Sequence, residues 1–309
     1  MAKVRNLIIG CDGTWNDTDE VYTNVAKILN ACSSVDQETH YEEGVGTAYW
    51  EALPGGIYGK GLDRQILGAY RFLRRRLADK NWQREENKVF IFGFSRGAYA
   101  ARRLAGLIAQ CGVPAKAVDI NLAWQLYLRR DELSTGELKQ QGRLFDIQIE
   151  MLGVWDTVKT TTDEDFNDLK LPTCVVKGYH AMAIDEERKF FPVLKWDAED
   201  RVYQVWFAGV HSDVGGGYNE TGLSDISLHW MIDRAYGHGV KFKASSVNKL
   251  KDDPGDMKHE SYDGIWEPFG TLKRSIAKSE IIHASVKERI DKLADYRPAN
   301  LPTETNYET

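Results

Sequence analysis

One short stretch limits the possible folds more than any other. The apolar run Val89-Phe90-Ile91-Phe92 leads straight into Gly93-Phe94-Ser95-Arg96-Gly97, and an alanine-rich run with helical character, Ala98 to Ile108, follows at once. A strand, a hydroxyl between two glycines and a helix, in that order, describe a nucleophile elbow. Such an elbow holds its serine at strained backbone angles while strand and helix pack closely, so the positions two before and two after the serine have no room for side chains. Gly93, Gly97 and Ala98 supply that room. A helix that begins at the serine also directs backbone N–H groups and a partial positive charge at an oxyanion forming there.

The rest of the chain alternates between strand-like and helix-like segments. Val4 to Ile9 reads as a first strand, ending in the polar turn Gly10 to Asp17, and Val21 to Ala31 as a short helix. Apolar residues recur at helical spacing from Leu62 to Lys80, where Arg71, Arg74, Arg75 and Arg76 read as a solvated face. Gly112 and Pro114 stop the elbow helix, and a polar helical segment runs from Val118 to Gln141. Further strands are expected over 147–155, 179–184 and 202–210. Strands alternating with helices imply a doubly wound, mostly parallel sheet flanked by helices, an α/β-hydrolase-like architecture with loop insertions. A single domain over residues 1–301 and a flexible tail at 302–309 are expected.

Three polar groups fall at three separate strand ends: Ser95, Asp156 after Trp155, and His211 after Val210. Their chain order, Ser then Asp then His, is the order an α/β-hydrolase requires. A serine hydroxyl is too weak an acid to attack an ester at neutral pH, so an imidazole must take its proton and a carboxylate must hold the imidazole tautomer. The oxyanion donors would be the N–H of Arg96 and one from the loop after the first strand, either Gly13 or Thr14. Asp213 is an alternative orienter of His211, and it could instead ligate a metal with Asp12. No clustered His or carboxylate spacing supports a metal site, and no cofactor is expected. Asp12-Gly13-Thr14 also suggests phosphoaspartyl chemistry, but Gly10 stands where the nucleophilic aspartate would be. The ordinary role for Asp12 is to shape and support the turn. Trp15, Trp155 and Trp206 lie beside these motifs, as lining of an apolar cleft or as core.

A formal charge of −6 gives no positive field to gather nucleic acid, so no nucleic-acid partner is expected. Cys11, Cys32, Cys111 and Cys174 form no CxxC pair and read as reduced thiols. The apolar run near the start is too short for a signal peptide or membrane span, so a cytoplasmic product is expected, with export requiring a dedicated machine.

At these residues the chain resembles an α/β-hydrolase family, first described as a domain of unknown function, that includes the phospholipase effectors of bacterial type VI secretion. The matching blocks are Cys11-Asp12-Gly13-Thr14-Trp15-Asn16, Gly44 to Thr47, Phe92 to Arg102, Gly153 to Val158, His180 to Arg188 and Phe207 to Tyr218, with an ending like Ile282 to Val286 and Tyr296 to Leu301. The family's triad carries over as Ser95, Asp156 and His211. The resemblance implies hydrolysis of carboxylic esters through an acyl-enzyme, with phospholipid acyl esters as substrate class. It also implies transient contact with a membrane surface and an immunity protein as partner. A carboxylesterase acting on small soluble esters, and an inactive binding protein on the same fold, are the alternatives.

Overall fold

The computed structural model describes residues 6–13, 22–44, 58–78, 87–158, 169–262, 268 and 270–308. Its elements are β1 (Asn6–Cys11), α1 (Asn24–Ala31), β2 (Gln37–Glu42), α2 (Tyr58–Leu77), β3 (Lys88–Phe94), α3 (Ser95–Cys111), β4 (Val113–Pro114), α4 (Ile120–Leu128), α5 (Glu132–Gln140), β5 (Leu144–Phe145), β6 (Ile149–Trp155), β7 (Val175–Ala183), β8 (Val202–Phe207), α6 (His211–Gly215), α7 (Gly222–Gly237), α8 (Ala244–Val247), β9 (Ile281–His283), α9 (Ala284–Lys292) and β10 (Asn306–Glu308).

Strands with continuous apolar runs need cover on both faces, which is the condition under which parallel sheets form. Eight strands form one sheet in the order β10-β9-β8-β7-β6-β3-β1-β2, and all their pairings are parallel. Side-chain alternation divides the core between the faces. Leu7, Ile9, Val89, Ile91, Leu152 and Val154 point into one layer with α2, α3 and α4. Ile8, Phe90, Phe92, Phe94, Met151 and Trp155 point into the other with α1 and α7. A third cluster, with Met182, Trp206, Ile282 and Val286, seats α9. This is an α/β-hydrolase-like doubly wound sheet.

The chain runs from β1 outward to β2, returns to β3 on the other side of β1, and then proceeds outward through β6, β7 and β8. That reversal is a topological switch point, and the loops leaving the carboxyl ends of neighbouring strands open a crevice there.

Several expectations shift. The helical segment over 118–141 is two helices: the chain breaks at Arg130, whose φ is +53°, and the Asp131 side chain accepts from Ser134 N at 2.9 Å to cap α5. Residues 306–308 pair with β9, and Glu308 accepts from Trp230 Nε1 at 3.0 Å. Of the α2 arginines, Arg71 and Arg75 are exposed, whereas Arg74 donates to Ala115 O at 3.1 Å and Arg76 pairs with Glu38. Trp155 and Trp206 are wholly buried core, and Trp15 lies outside the described residues. Among the described residues, no helix is long and apolar enough to cross a membrane.

Candidate active site

The expected elbow falls where β3 gives way to α3. Phe94 is still extended (φ −125°, ψ 140°), and Ser95, the first residue of α3, has φ +58°. A non-glycine residue in that region is strained, and such strain is concentrated at functional positions. The two glycines allow the close approach. A Cβ on Gly97 would meet the backbone of Cys11 and Asp12, with the Asp12 carbonyl carbon 2.6 Å away. A Cβ on Gly93 would lie 2.7 Å from Ala98 Cα. The end of β1 and the start of α3 are thus in backbone contact, which brings Gly13 against Ser95.

His211 opens α6, directly after the chain leaves β8, and its imidazole is packed between two rings. Phe94 lies 4.6 Å from it, centroid to centroid, and Phe191 meets it edge-on at 5.3 Å. Gly215, at the end of α6, leaves its missing side chain's space to the Phe94 ring. The His211 turn therefore rests on the residue immediately before Ser95. Nδ1 of His211 lies 2.6 Å from Asp156 Oδ2.

Asp156 follows β6 with φ +38° and is fully buried. Its Oδ1 accepts from Ala183 N at 2.9 Å and from Arg274 at 2.6 Å, and its Oδ2 also takes a second Arg274 N–H at 2.9 Å. Burial alone would raise this carboxyl. The charge of Arg274, and then the hydrogen bond and charge from His211, outweigh burial and hold it well below the usual carboxylate range. His211 itself is lowered, chiefly by burial, with Arg188 acting in the same direction and Asp156 opposing. The imidazole is thus a neutral base in the ordinary state, with Nδ1–H donating to Asp156 and Nε2 left as the acceptor nitrogen.

The other expected residues have defined places. Arg96 lies in the first turn of α3. Gly13 N donates to Asp12 Oδ1 at 2.7 Å, so this N–H is already committed within its own turn. Thr14 lies outside the described residues. Asp12 Oδ2 accepts from Thr23 Oγ1 at 2.5 Å and Tyr41 Oη at 2.7 Å, which ties the end of β1 to the start of α1 and to β2. Burial raises its carboxyl, and these bonds oppose the rise. Asp213 does not face the His211 ring in hydrogen-bond contact. Its Oδ2 accepts from Val210 N at 2.9 Å, and its Oδ1 lies 2.6 Å from His259 Nδ1. It closes the start of α6 and holds the 259 segment against it.

Sequence reasoning did not single out three supporting groups. Glu186, nearly inaccessible, accepts from His211 N at 3.2 Å, from Ser261 Oγ at 2.9 Å and twice from the Arg188 guanidinium. Its local signal was an acidic and a basic residue two apart after an apolar strand. His180 Nε2 accepts from Thr157 N at 3.1 Å, next to Asp156, and burial followed by Arg102 lowers it to about 3. Arg274 left no local signal, because it sits in a loop without a motif and reaches Asp156 only through the fold.

Comparison with known proteins gives a family match and three relatives. The family model described as "T6SS, Phospholipase effector Tle1-like, catalytic domain" matches residues 5–234. An uncharacterized protein of Saccharomyces cerevisiae is 26% identical over 226 residues, covering 62% of this chain and 32% of its own length. Among solved structures, an uncharacterized protein from Pseudomonas aeruginosa superposes with a TM-score of 0.53 at 18% identity, covering 82% of this chain and 49% of that one. The structure titled "Structure of the Tle1 effector bound to the VgrG spike from the Type 6 secretion system" gives 0.43 at 20% identity, covering 72% and 53%. The chain spans about a third of the length of its curated relative and about half of these solved chains.

Proposed function

Because the chain belongs to the family of Tle1-like phospholipase effector catalytic domains of the type VI secretion system, we propose that it is a serine hydrolase cleaving carboxylic esters, with phospholipid acyl esters as its substrate class. The observation that carries this reading is the buried Asp156–His211 contact at 2.6 Å, packed through Phe94 against the elbow that presents Ser95.

The chemistry follows from the tautomer. His211 Nε2 takes the proton of Ser95 Oγ as that oxygen attacks the ester carbonyl, and Asp156 stabilises the imidazolium that results. The tetrahedral oxyanion is received by the N–H of Arg96 and by a second donor from the turn after β1. With Gly13 N already bonded to Asp12, Thr14 is the better candidate for that second donor. Collapse of the adduct expels the alcohol with the His211 proton and leaves Ser95 acylated, and water activated by the same nitrogen then releases the acid. An immunity protein and transient contact with a membrane surface belong to the same proposal.

Ser95→Ala and His211→Ala should each reduce hydrolysis of short p-nitrophenyl esters by about 10³-fold or more with an unchanged circular dichroism spectrum. Wild-type turnover in either variant would overturn the assignment. A fluorophosphonate probe should label Ser95, and absence of labelling would favour a binding protein on the same fold. Fatty acid release from phospholipid vesicles tests the substrate class separately: turnover of small esters without it would leave a carboxylesterase.

A further inference from the structure

The family match ends at residue 234, and the side chain that completes the charge arrangement of the site lies beyond it. Arg274 is buried, and its guanidinium faces the Asp156 carboxylate edge to edge, with Nη1 to Oδ1 at 2.6 Å and Nη2 to Oδ2 at 2.9 Å. The same two nitrogens donate to Ala183 O at 2.7 Å and to Phe191 O at 2.9 Å. The fork is thereby anchored to the end of β7 and to the segment whose ring abuts His211. From the other side, Asn300 Nδ2 donates to Arg274 O at 3.2 Å and Ile184 O at 3.0 Å.

We infer that Arg274 is a positioning residue for the hydrolytic reaction, its fork fixing the plane of the Asp156 carboxylate and setting the pH below which the His211 base is lost. This rests on the serine hydrolase reading of the site. With Ala183 N and His211 Nδ1 as the other donors, the carboxylate receives four hydrogen bonds and has one orientation in which all are satisfied. A buried ion pair is an expensive way to obtain stability, since apolar side chains of similar volume serve as well or better.

The electrostatic consequence has a definite sign. The charged groups around His211 are Asp156 after β6, Arg274 beyond α8, Glu186 and Arg188 after β7, and Asp213 on α6 itself with His259 held against it. Arg188 answers the charge of Glu186, and Arg274 answers that of Asp156. Imidazolium formation is therefore less favoured than beside an uncompensated carboxylate. Removing the guanidinium makes the His211 and Asp156 pair take up a proton at higher pH, however that proton is shared between them.

The test is the pH dependence of kcat and kcat/KM on a soluble ester from pH 4 to 9, for wild type, Arg274→Met and Arg274→Lys, with Ser95→Ala as background and thermal melts as control. Arg274→Met should lose about 10- to 100-fold in kcat with little change in KM, and its acid limb should rise by about one pH unit. Arg274→Lys should return the limb toward wild type but not the rate, because an ammonium cannot form the fork. Folded variants with the wild-type rate and limb overturn the inference and leave the hydrolase reading standing. A wild-type protein that neither turns over esters nor labels at Ser95 overturns both. Should Arg274→Met not fold, the lysine variant decides by the same criteria.

Discussion

At the scale of single residues, the site depends on close backbone approach as well as on side-chain contacts. Gly97 is the sharpest case. The atoms a Cβ would meet there are carbonyl and backbone atoms of Cys11 and Asp12, which cannot rotate away as a flexible side chain could. Gly97→Ala should therefore force β1 and α3 apart. The expected cost is about 1–3 kcal/mol in urea unfolding, with a larger fractional loss of esterase activity than of stability, because the donor turn and the elbow would both move. An unchanged urea midpoint and activity would show that the two backbones are not held in contact there. The residues that carry the proposed chemistry were legible because each ends an apolar strand: Ser95, Asp156 and His211 all stand where the hydrophobic pattern stops. Arg274 was not legible for the complementary reason. Its position has meaning only once the segment around residue 274 has packed beside the end of β7, and no local pattern encodes a contact with a residue 118 positions away.

Strands were legible in proportion to their length and apolar continuity. β1, β3 and β6 could be read because their runs are long and buried on both faces, whereas β9 and β10, three residues each, exist only through pairing and could not. The start of α9 was hidden for the same reason and depends on an unusual cap. His283, stacked on Phe207 at 4.7 Å, uses Nδ1 to accept from Ser285 N at 3.3 Å at the beginning of the helix. An acceptor nitrogen must be unprotonated, and burial, followed by the charge of Arg234, lowers this histidine from 6.5 to about 4. Its contribution to stability is complete above pH 6.5. As the pH falls from 6.5 toward 4, the unfolded chain gains a proton that the folded chain does not, and stability is lost at up to about 1.4 kcal/mol per pH unit. His283→Asn keeps a capping acceptor without the titration. Urea midpoints measured between pH 7.5 and 4.5 should fall more steeply for wild type than for this variant, and parallel curves would remove His283 from the account.

For the molecule as a whole, the parallel sheet gathers the loops of β1, β3, β6 and β8 at one edge, so the proposed hydrolytic site and its substrate approach share that edge. The formal charge of −6 then acts on any extended substrate. An anionic vesicle repels a chain of this sign over about 30 Å at 0.01 M salt but only about 8 Å at 0.15 M. If phospholipid esters are the substrate, initial rates on anionic vesicles should rise several-fold between those two salt concentrations, while rates on zwitterionic vesicles and on soluble esters stay level. The soluble ester separates an effect on approach from one on the chemical step, because salt acting on His211 or Asp156 would alter all three rates alike. A fall in rate on anionic vesicles would mean that a local basic surface, such as the exposed Arg71 and Arg75 side of α2, governs docking in spite of the overall charge.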